Sequence, residues 1–323
     1  MEYSKIGYLI IGIMGSALLI FGVVSGVRFR REITNARERL ERLDSQVVQT
    51  ECGPIEVAVR GEGQPVLVIH GNGGGFDQGL GLAEAYIDQG FQVIAPSRFG
   101  YLRSPVPLGA DLAMQADAYA CLLDSLGIGR VAIFTTSAGV TSTIRFALRH
   151  PERVSGLILH SPNAPGEVGL VAPPRAVFSA LVHSDYGFWA MSTYMRPLMQ
   201  SLVGVPKDFA LTPEYQAQVQ EILASSLPVD PRGDGIVFDT YVSNPEINHY
   251  PLEDVKTPTL VISAVDDPMA LHSGARVLAE RIPDARLVAV PDGGHIMLGH
   301  GDEVRQEVSQ FLSGVFAAER QLN

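Results

Sequence analysis

Ser137 sits in the run Val131-Ala-Ile-Phe-Thr-Thr-Ser137-Ala-Gly139, an apolar strand-like segment followed by two small residues and the amphipathic stretch Thr143–Leu148. That order outlines a sharp strand-to-helix turn that exposes a serine hydroxyl above a sheet edge. The usual pattern is Gly-x-Ser-x-Gly, because the strained backbone at the serine brings neighbouring elements close. Ala138 and Gly139 fit it, and Thr135 stands where the first glycine is expected. A serine becomes a nucleophile when a base takes its proton, a carboxylate orients the base, and backbone amides receive the oxyanion. His295 is the candidate base, at the end of Pro291-Asp-Gly-Gly-His295 just after the apolar run Ala285–Val290. Asp266 and Asp267 are the candidate acids, after the run Thr259–Ala264. Upstream, Val66–Ile69 leads into His70-Gly71-Asn72-Gly73-Gly74-Gly75. That glycine run lacks the Lys-Ser/Thr ending of a phosphate loop and the Gly-x-Gly-x-x-Gly spacing of a dinucleotide site.

Something must hold these residues at one edge. Ile55–Val59, Val66–Ile69, Gln92–Pro96, Val131–Thr135, Gly156–His160, Thr259–Ser263 and Leu287–Val290 are short apolar runs suited to strands. Helix-period stretches, Leu80–Gln89, Ala110–Leu126 and Asp302–Ala318 among them, alternate with these runs. Such alternation predicts an α/β fold with a mostly parallel, doubly wound sheet whose chemistry lies at the carboxyl ends of the strands. Residues 51–162 and 250–320 form the expected core. The interval 163–249 breaks the rhythm: it is rich in Phe, Tyr and Met, is interrupted by prolines, and predicts an inserted helical cap. Methionines there conform to varied apolar shapes and could line a pocket.

Taken together, these motifs resemble the α/β-hydrolase superfamily, in particular its cap-bearing serine hydrolase branch. The resemblance rests on the His70–Gly75 turn, Arg98-Phe-Gly-Tyr101-x-x-Ser104, the elbow, Arg149-His-Pro-Glu-Arg-Val154, Asp266-Asp267 and Gly294-His295. It departs at Thr135 and at Ser97, where an aspartate often precedes the arginine. The resemblance implies Ser137 as nucleophile, His295 as base and Asp267 as acid, whereas Asp266 could cap the following turn. It also implies an oxyanion hole from the amides of Asn72 and Ala138, with His70 holding the loop. The implied activity is hydrolysis of a carboxylic ester through an acyl-enzyme, with no cofactor and no metal. Carbon–carbon bond hydrolysis of the meta-cleavage type uses the same triad and stays open. Haloalkane and epoxide hydrolysis are disfavoured, since those relatives carry an aspartate nucleophile. From a different class, a non-catalytic, membrane-tethered binding protein could retain this fold.

The chain has 323 residues, enough for one large domain with an insertion. Its formal net charge of −11 disfavours a nucleic-acid partner. Cys52 and Cys121 lie far apart without a Cys-x-x-Cys, which suggests neither a disulfide nor a thiolate metal site; Cys121 is expected inside a buried helix. At the amino terminus, Ile6–Gly26 is uncharged and almost wholly apolar. At about 1.5 Å per residue it spans the roughly 30 Å hydrocarbon core, and it is too long for an ordinary signal peptide. Six arginines follow it, from Arg28 to Arg42, against Lys5 before it. The expectation is therefore a single-pass anchor with the catalytic domain in the cytoplasm; secretion after signal cleavage is the alternative. Residues 27–50 read as a basic amphipathic linker helix, its stripe (Ile33, Ala36, Leu40, Leu43, Val47) lying on the membrane, on the catalytic domain or on a partner. The expected partners are a small-molecule or lipid-like ester and the bilayer, and the oligomeric state stays open.

Overall fold

In the computed structural model, which describes residues 2–166 and 173–322, the run Val66–Ile69 is fully buried between two helix layers. Val66 and Val68 point into one core, Leu67 and Ile69 into the other. Side chains alternate along a strand, so a strand covered on both faces must be apolar at every position.

The eight strands are β1 (Gln46–Thr50), β2 (Gly53–Arg60), β3 (Gln64–Ile69), β4 (Phe91–Pro96), β5 (Val131–Thr136), β6 (Val154–His160), β7 (Thr259–Ala264) and β8 (Ala285–Val290). They form one sheet in the order β1-β2-β4-β3-β5-β6-β7-β8. Only the β1–β2 and β2–β4 pairings are antiparallel. The expected mostly parallel sheet is thus present. After a long amino-terminal helix α1 (Glu2–Arg42), the core helices are α2 (Phe76–Tyr86), α3 (Leu112–Ser125) and α4 (Gly139–Arg149). Between β6 and β7 a separate helical layer is inserted: α5 (Arg175–Val182), α6 (Asp185–Tyr194), α7 (Arg196–Leu202), α8 (Pro213–Ser225), α9 (Gly233–Phe238), a π-helical stretch Asp239–Ser243, and α10 (Asn244–Glu246). Part of the expected cap, residues 167–172, lies outside the described residues. Two more core helices, α11 (His272–Arg281) and α12 (Gly301–Leu322), follow β7 and β8. Helices α3, α4 and α11 cover one face of the sheet, and α2 and α12 cover the other.

Two expectations are corrected. The linker does not run as a helix to residue 50: α1 ends at Arg42, and Gln46–Thr50 pairs with β2. Leu43 and Val47 continue the helical spacing. However, Asp44 takes a left-handed φ of 48°, which stops the helix, and Val47 and Val48 suit an extended pairing. The cysteines are also joined, Cys52 to Cys121, with Cα atoms 6.0 Å apart across 69 residues. The β1–β2 turn is laid over α3, so Cys121 is half-buried and turned toward the hairpin rather than packed inside a core.

The apolar stripe of α1 meets the inserted layer. Ile33 and Ala36 are buried against Trp189 and Leu227. Trp189 Nε1 donates to Glu32 at 2.7 Å, and Arg39 donates to the carbonyls of Ser225 (2.7 Å) and Leu227 (2.8 Å).

Candidate active site

The elbow forms where the sequence places it. Ser137 follows β5 directly with φ of 52°, a left-handed conformation costing a non-glycine residue about 1 kcal/mol or more. The surroundings hold it there: its N–H donates to the His160 carbonyl at 3.0 Å, and its own carbonyl accepts from Val140 (3.1 Å) and Asn163 (3.1 Å). Close approach explains the small neighbours. A Cβ on Gly71 would stand 3.2 Å from Ser137 Cβ, a tight contact that the absence of a side chain relieves where the β3 loop lies against the serine. Thr135 is fully buried in β5, paired with Ile69 and Leu159.

Three parallel strand ends bring the remaining groups together. His295 Nε2 is 2.9 Å from Ser137 Oγ, and His295 Nδ1 is 2.8 Å from Asp267 Oδ2. The other oxygen of Asp267 accepts from the amides of Met269 (2.8 Å) and Ala270 (3.0 Å), which locks the carboxylate. Asp266 is turned to a different task. Its Oδ1 accepts from Gly294 N at 2.9 Å and so braces the loop that carries the histidine. The backbone of His295 is held from the inserted layer, its N–H donating to Gly204 O at 3.0 Å.

The amides of Asn72, on the β3 loop, and of Ala138, just after Ser137, form no hydrogen bond among the described residues. His70 is fully buried, with Nδ1 2.7 Å from Gly71 O and Nε2 receiving the Arg98 amide at 3.0 Å. This pattern requires the neutral Nδ1–H tautomer, and burial, reinforced by Arg98, holds the His70 pKa well below the usual histidine range.

Sequence reasoning did not identify the two buried ion pairs beside this loop. Arg98 binds both oxygens of Asp239, at 2.6 and 2.5 Å, and also reaches Gly71 O at 3.0 Å. Tyr101 OH donates to the same carboxylate. Arg232 binds Asp77 twice, at 3.0 and 2.8 Å, and Gly74 O at 2.6 Å. Arg98 was visible within a motif, but its partner lies 141 residues away in a helix without any local signal. Removing one partner leaves a charge uncompensated in the interior. Asp239→Ala is therefore expected to cost about 3–5 kcal/mol in urea unfolding, and the double change Arg98→Met/Asp239→Leu to recover most of it. Equal losses in the single and double variants would show that the pair is not the cause.

Behind the serine, His160 is buried with Nδ1 3.1 Å from Thr136 Oγ1, and its ring lies against Tyr86 and Phe134. Burial, with a smaller contribution from His295, pushes its pKa down from 6.5 to about 3. The unfolded chain therefore binds a proton that the native state refuses between about pH 6.5 and about pH 3. Stability should fall as pH drops through that window, by up to ~1.4 kcal/mol per pH unit. In His160→Gln the slope of unfolding free energy between pH 7 and pH 5 should be shallower; an unchanged slope would assign the acid sensitivity elsewhere.

The α/β hydrolase fold family model matches residues 64–302. A 2-hydroxymuconate semialdehyde hydrolase of Pseudomonas putida is 30% identical over 266 residues, covering 79% of this chain and 89% of its own. An uncharacterized hydrolase of Bacillus subtilis, YcgS, is 40% identical over 116 residues, which is 36% of this chain and 40% of that protein. Among solved structures, an alpha/beta hydrolase fold protein from Nakamurella multipartita superposes with a TM-score of 0.68 at 25% identity, covering 84% of this chain and all of that one. Sheet order, elbow and family match agree: the chain belongs to the α/β-hydrolase family and is a hydrolase.

Proposed function

We propose that this chain is a membrane-anchored serine hydrolase that cleaves a carboxylic ester of an apolar substrate. The observation that carries the proposal is the unbroken relay from Ser137 Oγ through His295 to Asp267, at 2.9 and 2.8 Å. Ser137 Oγ attacks the carbonyl carbon while His295 takes its proton, and Asp267 stabilises the imidazolium. The Asn72 and Ala138 amides receive the oxyanion; each such donor contributes on the order of 3 kcal/mol. The tetrahedral intermediate expels the alcohol, which leaves with the proton from His295. Water, deprotonated by His295, then attacks the acyl carbon, and the acid departs as Ser137 regains its proton.

Carbon–carbon hydrolysis is the second reading, favoured by the likeness to the Pseudomonas putida enzyme, whose named substrate, 2-hydroxymuconate semialdehyde, carries a carboxylate. Against it, the two buried guanidiniums beside the β3 loop, Arg98 and Arg232, are each matched by an aspartate, so neither is left to hold a substrate carboxylate. In the inserted layer, Phe188, Met191 and Met199 pack into one apolar cluster. Labelling the full chain with a fluorophosphonate, followed by p-nitrophenyl esters of graded length and a dienoic keto acid, tests both. Turnover of esters over the keto acid supports the proposal, and the reverse preference overturns it. A chain that neither labels nor turns over would fit a binding protein that retains the fold.

The anchor is supported by α1, in which an 18-residue stretch has mean hydropathy 1.7 and is almost entirely uncovered by the rest of the chain. The arginines after Gly26 favour a cytoplasmic catalytic domain. The Cys52–Cys121 bond favours the opposite side, because disulfides persist in oxidising compartments, and the same compartment would receive a cleaved, secreted form. Protease protection of a carboxyl-terminal tag in intact cells distinguishes the two sides.

A further inference from the structure

Helix α1 is continuous from Glu2 to Arg42, so whatever packs on its amino-terminal half has its depth in a bilayer fixed by that helix. The inserted layer does pack there. Phe21 lies 5.3 Å from Tyr194 between ring centroids, Ser25 Oγ is hydrogen-bonded to Tyr194 OH, and Phe29 lies 5.2 and 5.5 Å from Tyr186 and Trp189. Phe21 is five residues inside Gly26, the last residue of the Ile6–Gly26 segment, or about 7 Å along a helix. The end of α6 is thereby held about 7 Å below the end of the apolar segment, the depth of the boundary between headgroups and acyl chains.

From Tyr194 onward the chain presents a run of large, partly exposed apolar residues. Tyr194, Met195, Leu198 and Leu202 are each 41–49% exposed, and Leu198 and Leu202, four apart, share one face of α7. Cations flank them, with Arg28, Arg30 and Arg31 on α1 and Arg196 at the start of α7, all exposed. An apolar edge rimmed by arginines and carrying tyrosine at the boundary matches a membrane interface. Helix α7 also leads straight to the site: two residues past Leu202, Gly204 accepts the His295 amide. Gly204 has φ of 79°, and a Cβ there would fall 2.2 Å from His295 Cβ, so the end of α7 and the histidine loop are in direct backbone contact.

Resting on the anchor reading above, we propose that the α6–α7 edge, Tyr194 to Leu202, is seated in the lipid interface and opens the site to lipid-dissolved esters. The inference holds whichever side of the membrane the domain occupies.

The test uses the full chain in phosphatidylcholine–phosphatidylglycerol vesicles, with its native cysteines paired and an environment-sensitive fluorophore on a new thiol. Leu198→Cys reports on the edge. Gly129→Cys is the control, an exposed position with open space around its Cβ, just before β5 and so at the opposite end of that strand from Ser137. The Leu198 label should shift to the blue and lose about half or more of its intensity to spin-labelled lipid, while the Gly129 label should do neither. Carbonate washing of the same vesicles reports on the anchor separately. If the chain survives washing but both labels read water, the seated edge is wrong and the anchor stands. If the chain washes off, the anchor reading fails and this inference fails with it.

Discussion

Ser137→Ala is expected to lower ester turnover by about 10⁴-fold or more and to abolish fluorophosphonate labelling, because nothing else in the relay can form the acyl-enzyme. Among the described residues the side chain makes one hydrogen bond, to His295, and the backbone bonds that hold the elbow do not involve it. The thermal unfolding of the variant should accordingly stay within about 1 kcal/mol of the parent. Ser137→Gly supplies an internal control. Glycine adopts φ of 52° without strain, so that variant should be equally inactive and no less stable. Retained turnover in either variant would remove Ser137 from the mechanism.

Asp267→Asn should come next, at roughly 10⁴-fold in kcat, with a specific cause. Oδ1 of Asp267 is committed to the amides of Met269 and Ala270, so an asparagine there must keep its oxygen in that position. Its NH₂ then faces His295 Nδ1 and forces the tautomer whose Nε2 carries the proton, which cannot accept one from Ser137. Asp266→Asn keeps an oxygen for Gly294 N and should cost less than about tenfold. Steady-state kinetics on one ester, with both variants side by side, checks the ranking; a larger loss at Asp266 would move the acid there.

The strands and the ends at which chemistry-bearing residues sit were legible because local patterns specify them. Val66–Ile69 and Val131–Thr135 are apolar throughout, and the turns after them are marked by glycines and small residues. Strand β1 was not legible, since Leu43 and Val47 continue a helical spacing that Asp44 breaks by its backbone alone. The choice between Asp266 and Asp267 was open from the residues themselves. The two neighbours are alike in sequence, and only the direction of each carboxylate, one to Gly294 and one to His295, separates them.

What the sequence determined by itself was the α/β alternation, the family and the order of the candidate groups, all carried by short-range periodicity and turn chemistry. Long-range pairing was decided only by tertiary structure: Cys52 with Cys121, Arg98 with Asp239, Arg232 with Asp77, and the amino-terminal helix with Trp189. Each of these joins residues tens to more than a hundred positions apart. No local spacing encodes such a contact; it exists because the folded sheet and its inserted layer bring those surfaces together and exclude water from between them.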